Sequence, residues 1–270
     1  MNPSPKHSYA HHKPHKVHNP EIKGTEQKKK VLLEVKNLST AHKKFKVSHI
    51  SFTLKEGDIL GLVGRSGSGK STVLNTIVGL KRPIKGSVKT SIKGNKCKLD
   101  EVIGLSPQEN SLYPFLTIKE NIKIFSQLHK IKKKVMEKRA KTLLARLGLK
   151  DSGNKKIIQL SGGMRKRADL AVTLIHSPAI IILDEPFAGL DVTLTKFIWD
   201  LLKELSSQGK IIIISSHLLG NMEKNCNQFA LILNGRFYND DALRTAMTAS
   251  LTRNLEQYLE ALFRKDMEGN

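Results

Sequence analysis

Lys70 stands in the segment Gly64-Arg65-Ser66-Gly67-Ser68-Gly69-Lys70-Ser71-Thr72, which satisfies G-x-x-x-x-G-K-[ST] at every fixed position. That pattern is a phosphate cradle when a buried strand precedes it and a helix follows. The glycines let the backbone wrap so that successive N–H groups point inward at phosphate oxygens, and the helix start adds partial positive charge. Lys70 is then placed to reach the β- and γ-phosphates of a nucleotide, and the Ser71 hydroxyl to ligate Mg²⁺. A flexible Gly/Ser turn has the same composition, but it does not need a strand before it and a helix after it.

Residues 180–183 are Ile-Ile-Ile-Leu, and Asp184-Glu185 follows at once. Four apolar residues ahead of two acids put both carboxylates at the carboxyl end of a buried strand, the edge where parallel sheets bind ligands. Asp184 suits Mg²⁺, directly or through water, and Glu185 suits a general base for an attacking water. A second apolar run, residues 211–214, ends in Ser215-Ser216-His217. His217 therefore belongs to the same edge, within reach of a γ-phosphate. Leu160-Ser161-Gly162-Gly163 precedes a helix that Ser161 can cap, with two glycines leaving the first N–H groups open to an anion. Alone this is a capped turn. Beside a complete phosphate cradle it is a second anion site, hard to use on the same nucleotide unless another subunit brings it.

For these side chains to meet, particular elements must carry them. Residues 59–63, Ile-Leu-Gly-Leu-Val, read as a strand buried on both faces. From Lys70 a helix presents Val73, Leu74, Ile77 and Val78 on one side. Residues 31–35 read as a strand, and residues 45–47 and 50–54 alternate like an exposed antiparallel hairpin. Residues 117–149 turn helical and very basic. A helix follows Gly162-Gly163 with Ala171, Leu174 and Ile175 inward, and another covers residues 194–205. Residues 231–233, Asn234-Gly235 and residues 236–238 predict a terminal hairpin, and residues 242–265 a closing helix. Strands alternating with helices specify an α/β fold with a mainly parallel sheet covered on both sides.

Composition narrows the function classes. With 270 residues, 39% of them apolar, the chain can bury one large domain. Aromatics at 5% are too few for a specialist in stacking sugars or bases. No run approaches the roughly eighteen apolar residues that cross a bilayer, and the N-terminus lacks the apolar centre of a secretory signal. A membrane role is expected to come through a partner. Cys97 and Cys226 form no CxxC pair and read as free thiols of a reducing compartment. The formal charge of +22 invites polyanions. However, the Lys-rich stretch 130–141 has no interleaved aromatics and no nucleic-acid motif, which disfavours nucleic acid and leaves anionic lipid as a contact. Residues 1–30, with Pro3, Pro5, Pro14, Pro20 and five histidines, have almost nothing to bury and are expected to form a disordered tail.

Taken in order, these segments resemble those of the ABC ATPases, the ATP-binding subunits of ABC transporters. The P-loop and Asp184-Glu185 resemble the family's two nucleotide motifs, and Leu160-Ser161-Gly162-Gly163-Met164 its signature. Gln108, in Gly104-Leu-Ser-Pro-Gln-Glu109, resembles the glutamine loop; Ala188-Gly189-Leu190-Asp191 the D-loop; and His217 the switch histidine. The motifs fall across residues 31–240, with an extension over residues 241–270. The resemblance implies a P-loop NTPase, RecA-like core with an antiparallel β subdomain and a helical subdomain inserted at about residues 109–160. It implies ATP and Mg²⁺ as ligands, and a head-to-tail dimer of the chain with itself or with a paralogous subunit. Ser161, Gly162 and Gly163 are then expected to touch the γ-phosphate in trans. Gln108 is expected to contact Mg²⁺ or water and to report to a separate transmembrane permease, and Asp191 to tie the two sites together. The subunit is expected to be cytoplasmic and peripheral on the membrane. Met164 stands where Gln is common, as in some exporters of the ABC-2 kind, which implies export. No Tyr stands where the family stacks adenine, and His42 and Phe45 are the residues of that neighbourhood. Two other readings fit the same motifs: a soluble ABC ATPase of the iron–sulfur assembly type, and a polyanion binder switched by nucleotide.

Overall fold

A computed structural model describes residues 31–268 apart from 44, 218, 251 and 253. Residues 1–30, read above as a tail, lie outside the described residues. Among the described residues the strands are β1 (Val31–His42), β2 (Phe45–Lys55), β3 (Ile59–Val63), β4 (Lys85–Ile92), β5 (Asn95–Cys97), β6 (Ile103–Ser106), β7 (Ile180–Asp184), β8 (Ile211–Ser216), β9 (Gln228–Leu233) and β10 (Arg236–Tyr238). The helices are α1 (Lys70–Ile77), α2 (Leu99–Val102), α3 (Ile118–Leu128), α4 (Lys133–Arg146), α5 (Gly162–Leu174), α6 (Val192–Ser207), α7 (Leu219–Glu223), α8 (Asp240–Ala249) and α9 (Leu255–Glu268). None is long and apolar enough to cross a membrane.

The strands form one sheet in the order β5-β4-β1-β2-β10-β9-β3-β8-β7-β6. From β9 to β6 all neighbours run parallel, whereas β1, β2, β4 and β5 pair antiparallel. The continuous apolar runs explain the parallel part. In a strand, successive side chains leave opposite faces, so a run with no polar break feeds two cores. Ile59, Val63, Ile181, Leu183, Ile212, Ile214 and Leu231 pack on one side with α3 to α6 and the closing helices. Leu60, Leu62, Ile180, Ile182, Ile211, Ile213 and Ile232 pack on the other with α1 and the hairpin β1–β2. Each such side chain, fully buried, contributes about 1.5–3 kcal/mol. The sheet's centre is rigid for that reason.

The structure departs from the sequence expectations in four places. Residues 45–47 and 50–54 are one strand, β2, continuous through His49 at φ 58°. The basic stretch 117–149 is two helices: α3 starts from a capping box between Thr117 and Glu120, and α4 starts after Lys130, at φ 53°. The closing helix divides into α8 and α9. Residues 85–106, where no strand was expected, hold β4, β5 and β6. Lys85-Gly-Ser-Val-Lys-Thr-Ser-Ile92 has no apolar run, and β6 has only four residues. Their assignment comes from pairing with β1 and β7, not from local pattern.

Candidate nucleotide site

Sheet order brings the four chemical segments together. Strands β3, β8, β7 and β6 are consecutive neighbours. Their carboxyl ends release the P-loop, Ser215-Ser216-His217, Asp184-Glu185 and the loop of Gln108, in that spatial order. A cavity of about 300 Å³ opens there. It is lined by Ser66, Gly67, Gly69, Lys70, Ser71 and Thr72, by Gln108 and Glu185, and by the rings of His42 and Phe45.

Helix α1 begins at this cavity without a side-chain cap and with no acid in its first turn. Its leading N–H groups are therefore open to an anionic acceptor, which an uncapped helix start favours. Ser68 Oγ is buried with no hydrogen-bond partner. The open helix start fits a bound phosphate chain, whereas Ser68 does not line the cavity and its hydroxyl lies against Gly64. The Lys70 ammonium is buried; it donates to Gly64 O at 2.8 Å and Arg65 O at 3.3 Å, and lies 3.4 Å from Glu185 Oε1. Gly64 is buried at the foot of the loop and Arg65 is exposed.

Gly69 shows why the loop needs glycine. It lies at φ 96°, and a Cβ there would come within 2.5 Å of Phe45 Cε1 and 3.1 Å of Val47 Cγ2. Gly69→Ala should therefore displace the Phe45 ring or the loop. We expect nucleotide affinity to fall ~tenfold or more, from about 1–3 kcal/mol of backbone strain alone. Titration with a fluorescent nucleotide checks this, and wild-type affinity would mean that the loop binds in another conformation.

Glu185 is a non-glycine residue in left-handed backbone, at φ 49°. Strain of that kind persists where neighbours over-determine it. Here Glu185 N donates to Ser215 Oγ at 2.9 Å and to Ser215 O at 3.2 Å, while Ser215 Oγ donates to Asp184 Oδ1. One serine thus holds both acids. The Glu185 carboxylate lies between Lys70 and His217, whose Nδ1 is 3.0 Å from Oε2. Asp184 is buried beside it. Ser71, Asp184 and Gln108 are the oxygen donors suited to Mg²⁺, a hard cation.

The remaining predicted residues lie elsewhere. Ser161 caps α5, its side chain accepting from Met164 N at 3.3 Å. Ser161 and Gly162 are exposed, and none of Ser161, Gly162 and Gly163 lines the cavity. Gly163 packs on α6, where an added Cβ would meet Leu194 Cδ2 at 2.8 Å. Asp191 caps α6, accepting from Leu194 N at 2.7 Å, and is also exposed. Sequence reasoning missed Ser215 as the residue joining Asp184 to Glu185. Its only signal was its place at the end of an apolar run. It also missed Asp169, the single acid on the inward face of α5.

A P-loop at the carboxyl edge of a doubly covered parallel sheet, with acids and a histidine beside it, defines a nucleotide-binding α/β ATPase domain. More narrowly, the chain belongs to the ABC transporter family, whose profile matches residues 47–188. It is 32% identical over 248 residues to "ABC transporter G family member 20" of Dictyostelium discoideum, covering 88% of this chain and 33% of that protein. It is 33% identical over 193 residues to "Nod factor export ATP-binding protein I" of Ralstonia nicotianae, covering 70% of this chain and 60% of that one. The chain thus spans less than two thirds of the length of these relatives. Among solved structures, "Structure of ATP binding subunit of ABC transporter" superposes with a TM-score of 0.74 at 27% identity, covering 85% of this chain and 98% of that one.

Proposed function

We propose that this chain hydrolyses ATP as one half of a head-to-tail dimer and drives export through a separate membrane subunit. The observation that carries the reading is a division within one chain. The P-loop, Gln108, Glu185 and His217 converge at one sheet edge, while Ser161 and Gly162 stand exposed at another helix start. A second phosphate cradle outside its own chain's cavity is useful to a second copy.

The phosphates of ATP rest against the open N–H groups of α1. Lys70 exchanges Glu185 for phosphate oxygens, which releases the carboxylate to accept the proton of the attacking water. Water oxygen bonds to the γ-phosphorus as the bond to the bridging oxygen breaks, and ADP leaves. His217 holds Glu185 Oε2 and is placed for the γ-phosphate. Ser71, Asp184 and Gln108 would hold Mg²⁺, which when bound draws charge from the β- and γ-oxygens. The rings of His42 and Phe45, lining the same cavity, are the candidates for the adenine.

Support for the membrane partner lies beside the glutamine loop, where Tyr113 and Phe115 are 48% and 71% exposed. Apolar rings so placed suit burial by another protein. A relative named for export supports the direction. The lysines of α4 give the subunit a cationic face towards anionic headgroups on the cytoplasmic side, worth about 1 kcal/mol per nearby cation. The test is steady-state hydrolysis by the purified chain. Activity should require Mg²⁺, vanish with chelator, and rise sigmoidally with ATP because two copies must close. Full activity in a monomer with hyperbolic dependence would overturn the dimer.

A further inference from the structure

Asp169 is the lone acid of α5, the helix that opens with Ser161-Gly162-Gly163, and it has 0% exposure. Its neighbours Ala168, Leu170 and Ala171 are equally buried. A carboxylate taken out of water among apolar groups costs several kcal/mol unless its oxygens are paired. The partners of Asp169 belong to one loop. Ser106 Oγ, at the end of β6, donates to Oδ2. Ser111 N and Ser111 Oγ approach Oδ1 at 3.4 and 3.5 Å. Ser106 precedes Gln108 by two residues and Ser111 follows it by three, so the carboxylate grips both flanks of the glutamine loop.

The same helix carries a cation towards the hydrolytic acids. Burial holds the Lys166 ammonium below the ordinary lysine range, while the carboxylates of Asp169, Asp184 and Glu185 pull it back up. Burial pushes the Asp169 carboxyl up, against the Ser106 hydrogen bond and the Lys166 charge. Near the glutamine loop, α5 is therefore a polar device set into an apolar helix face.

We propose that Asp169 is a positioning residue, a strap that fixes both flanks of the glutamine loop to the signature-bearing helix. Gln108 in one copy's pocket and Ser161-Gly162-Gly163 presented to the other copy are thereby set together. This rests on the roles given above to Gln108 and to the signature. A purely structural pair behaves differently. Removing one partner of a buried hydrogen bond leaves the other unsatisfied, whereas removing both can be nearly neutral.

The experiment compares Asp169→Ala, Asp169→Asn, the double variant Ser106→Ala/Asp169→Ala and Gln108→Ala, each as the full chain. We expect the double variant to melt close to wild type, because the buried Ser106 hydroxyl goes with its acceptor and exposed Ser111 can turn to water, yet to keep kcat about tenfold down and KM for ATP within about twofold. Amides of residues 108–112 should exchange hydrogen about tenfold faster in it. Asp169→Asn, whose oxygen still accepts from Ser111 N while its amide group donates to Ser106 Oγ, should return most of kcat. Wild-type kcat and wild-type exchange in the double variant would overturn the strap, even if Asp169→Ala fails to fold. Should Gln108→Ala keep full kcat, the role of Gln108 falls by itself. Exchange over residues 108–112 then still decides, faster exchange supporting the strap and unchanged exchange refuting it.

Discussion

Glu185→Gln should bind ATP with close to wild-type affinity, lose hydrolysis by about 10²–10⁴-fold, and accumulate as an ATP-bound dimer. The substitution keeps the shape of a buried side chain and removes its basicity and its charge. Glu185's backbone is held by Ser215 and not by the carboxylate, so the left-handed conformation at φ 49° survives. Loss of the negative charge 3.4 Å from Lys70 also frees that ammonium for phosphate. Binding is therefore preserved while turnover stops, and the closed state has no exit. Single-turnover hydrolysis and light scattering with Mg²⁺ and ATP measure the two halves of this expectation. Normal turnover would remove Glu185 from its role.

Ser161→Arg should leave the chain folded and able to bind nucleotide in its own pocket, yet unable to dimerise. Hydrolysis should fall about 10²-fold or more, as when a set of phosphate-facing donors is withdrawn. Ser161 is exposed and Gly162 has open space around it, so the single chain accommodates the larger side chain. The γ-phosphate of a second copy's ATP does not, because the guanidinium occupies its place at the helix start. Loss of the cap to Met164 N costs only about 1 kcal/mol, and Ser161→Ala isolates that contribution. Dimerisation by Ser161→Arg at wild-type strength, with cooperative hydrolysis intact, would contradict the trans assignment.

Much of the site was legible because its parts are contiguous. A phosphate cradle is built from successive backbone N–H groups, so its glycines, its lysine and the serine after it occur in one run, residues 64–72. Strands buried on both faces announce themselves as Ile59–Val63, Ile180–Asp184 and Ile211–Ser216. Asp184 ends one of them with Glu185 next, and His217 follows another directly. The polar strand Lys85–Ile92 and the four-residue Ile103–Ser106 gave no such signal, since they are strands only through their neighbours.

Taken alone, the linear order of residues determined the parallel core, the phosphate loop and the identity of the acids and the histidine at its edge. Only the tertiary structure decided that β3, β8, β7 and β6 stand side by side, so that their four loops share one cavity. It also decided that Phe45 rests on Gly69, that Ser215 joins Asp184 to Glu185, and that Asp169 reaches across to Ser106 and Ser111. The physical reason is that a side chain far from its partner along the chain is paired by sheet register and helix packing. Hydrophobic periodicity records which face is buried, but not which polar group waits on the other side.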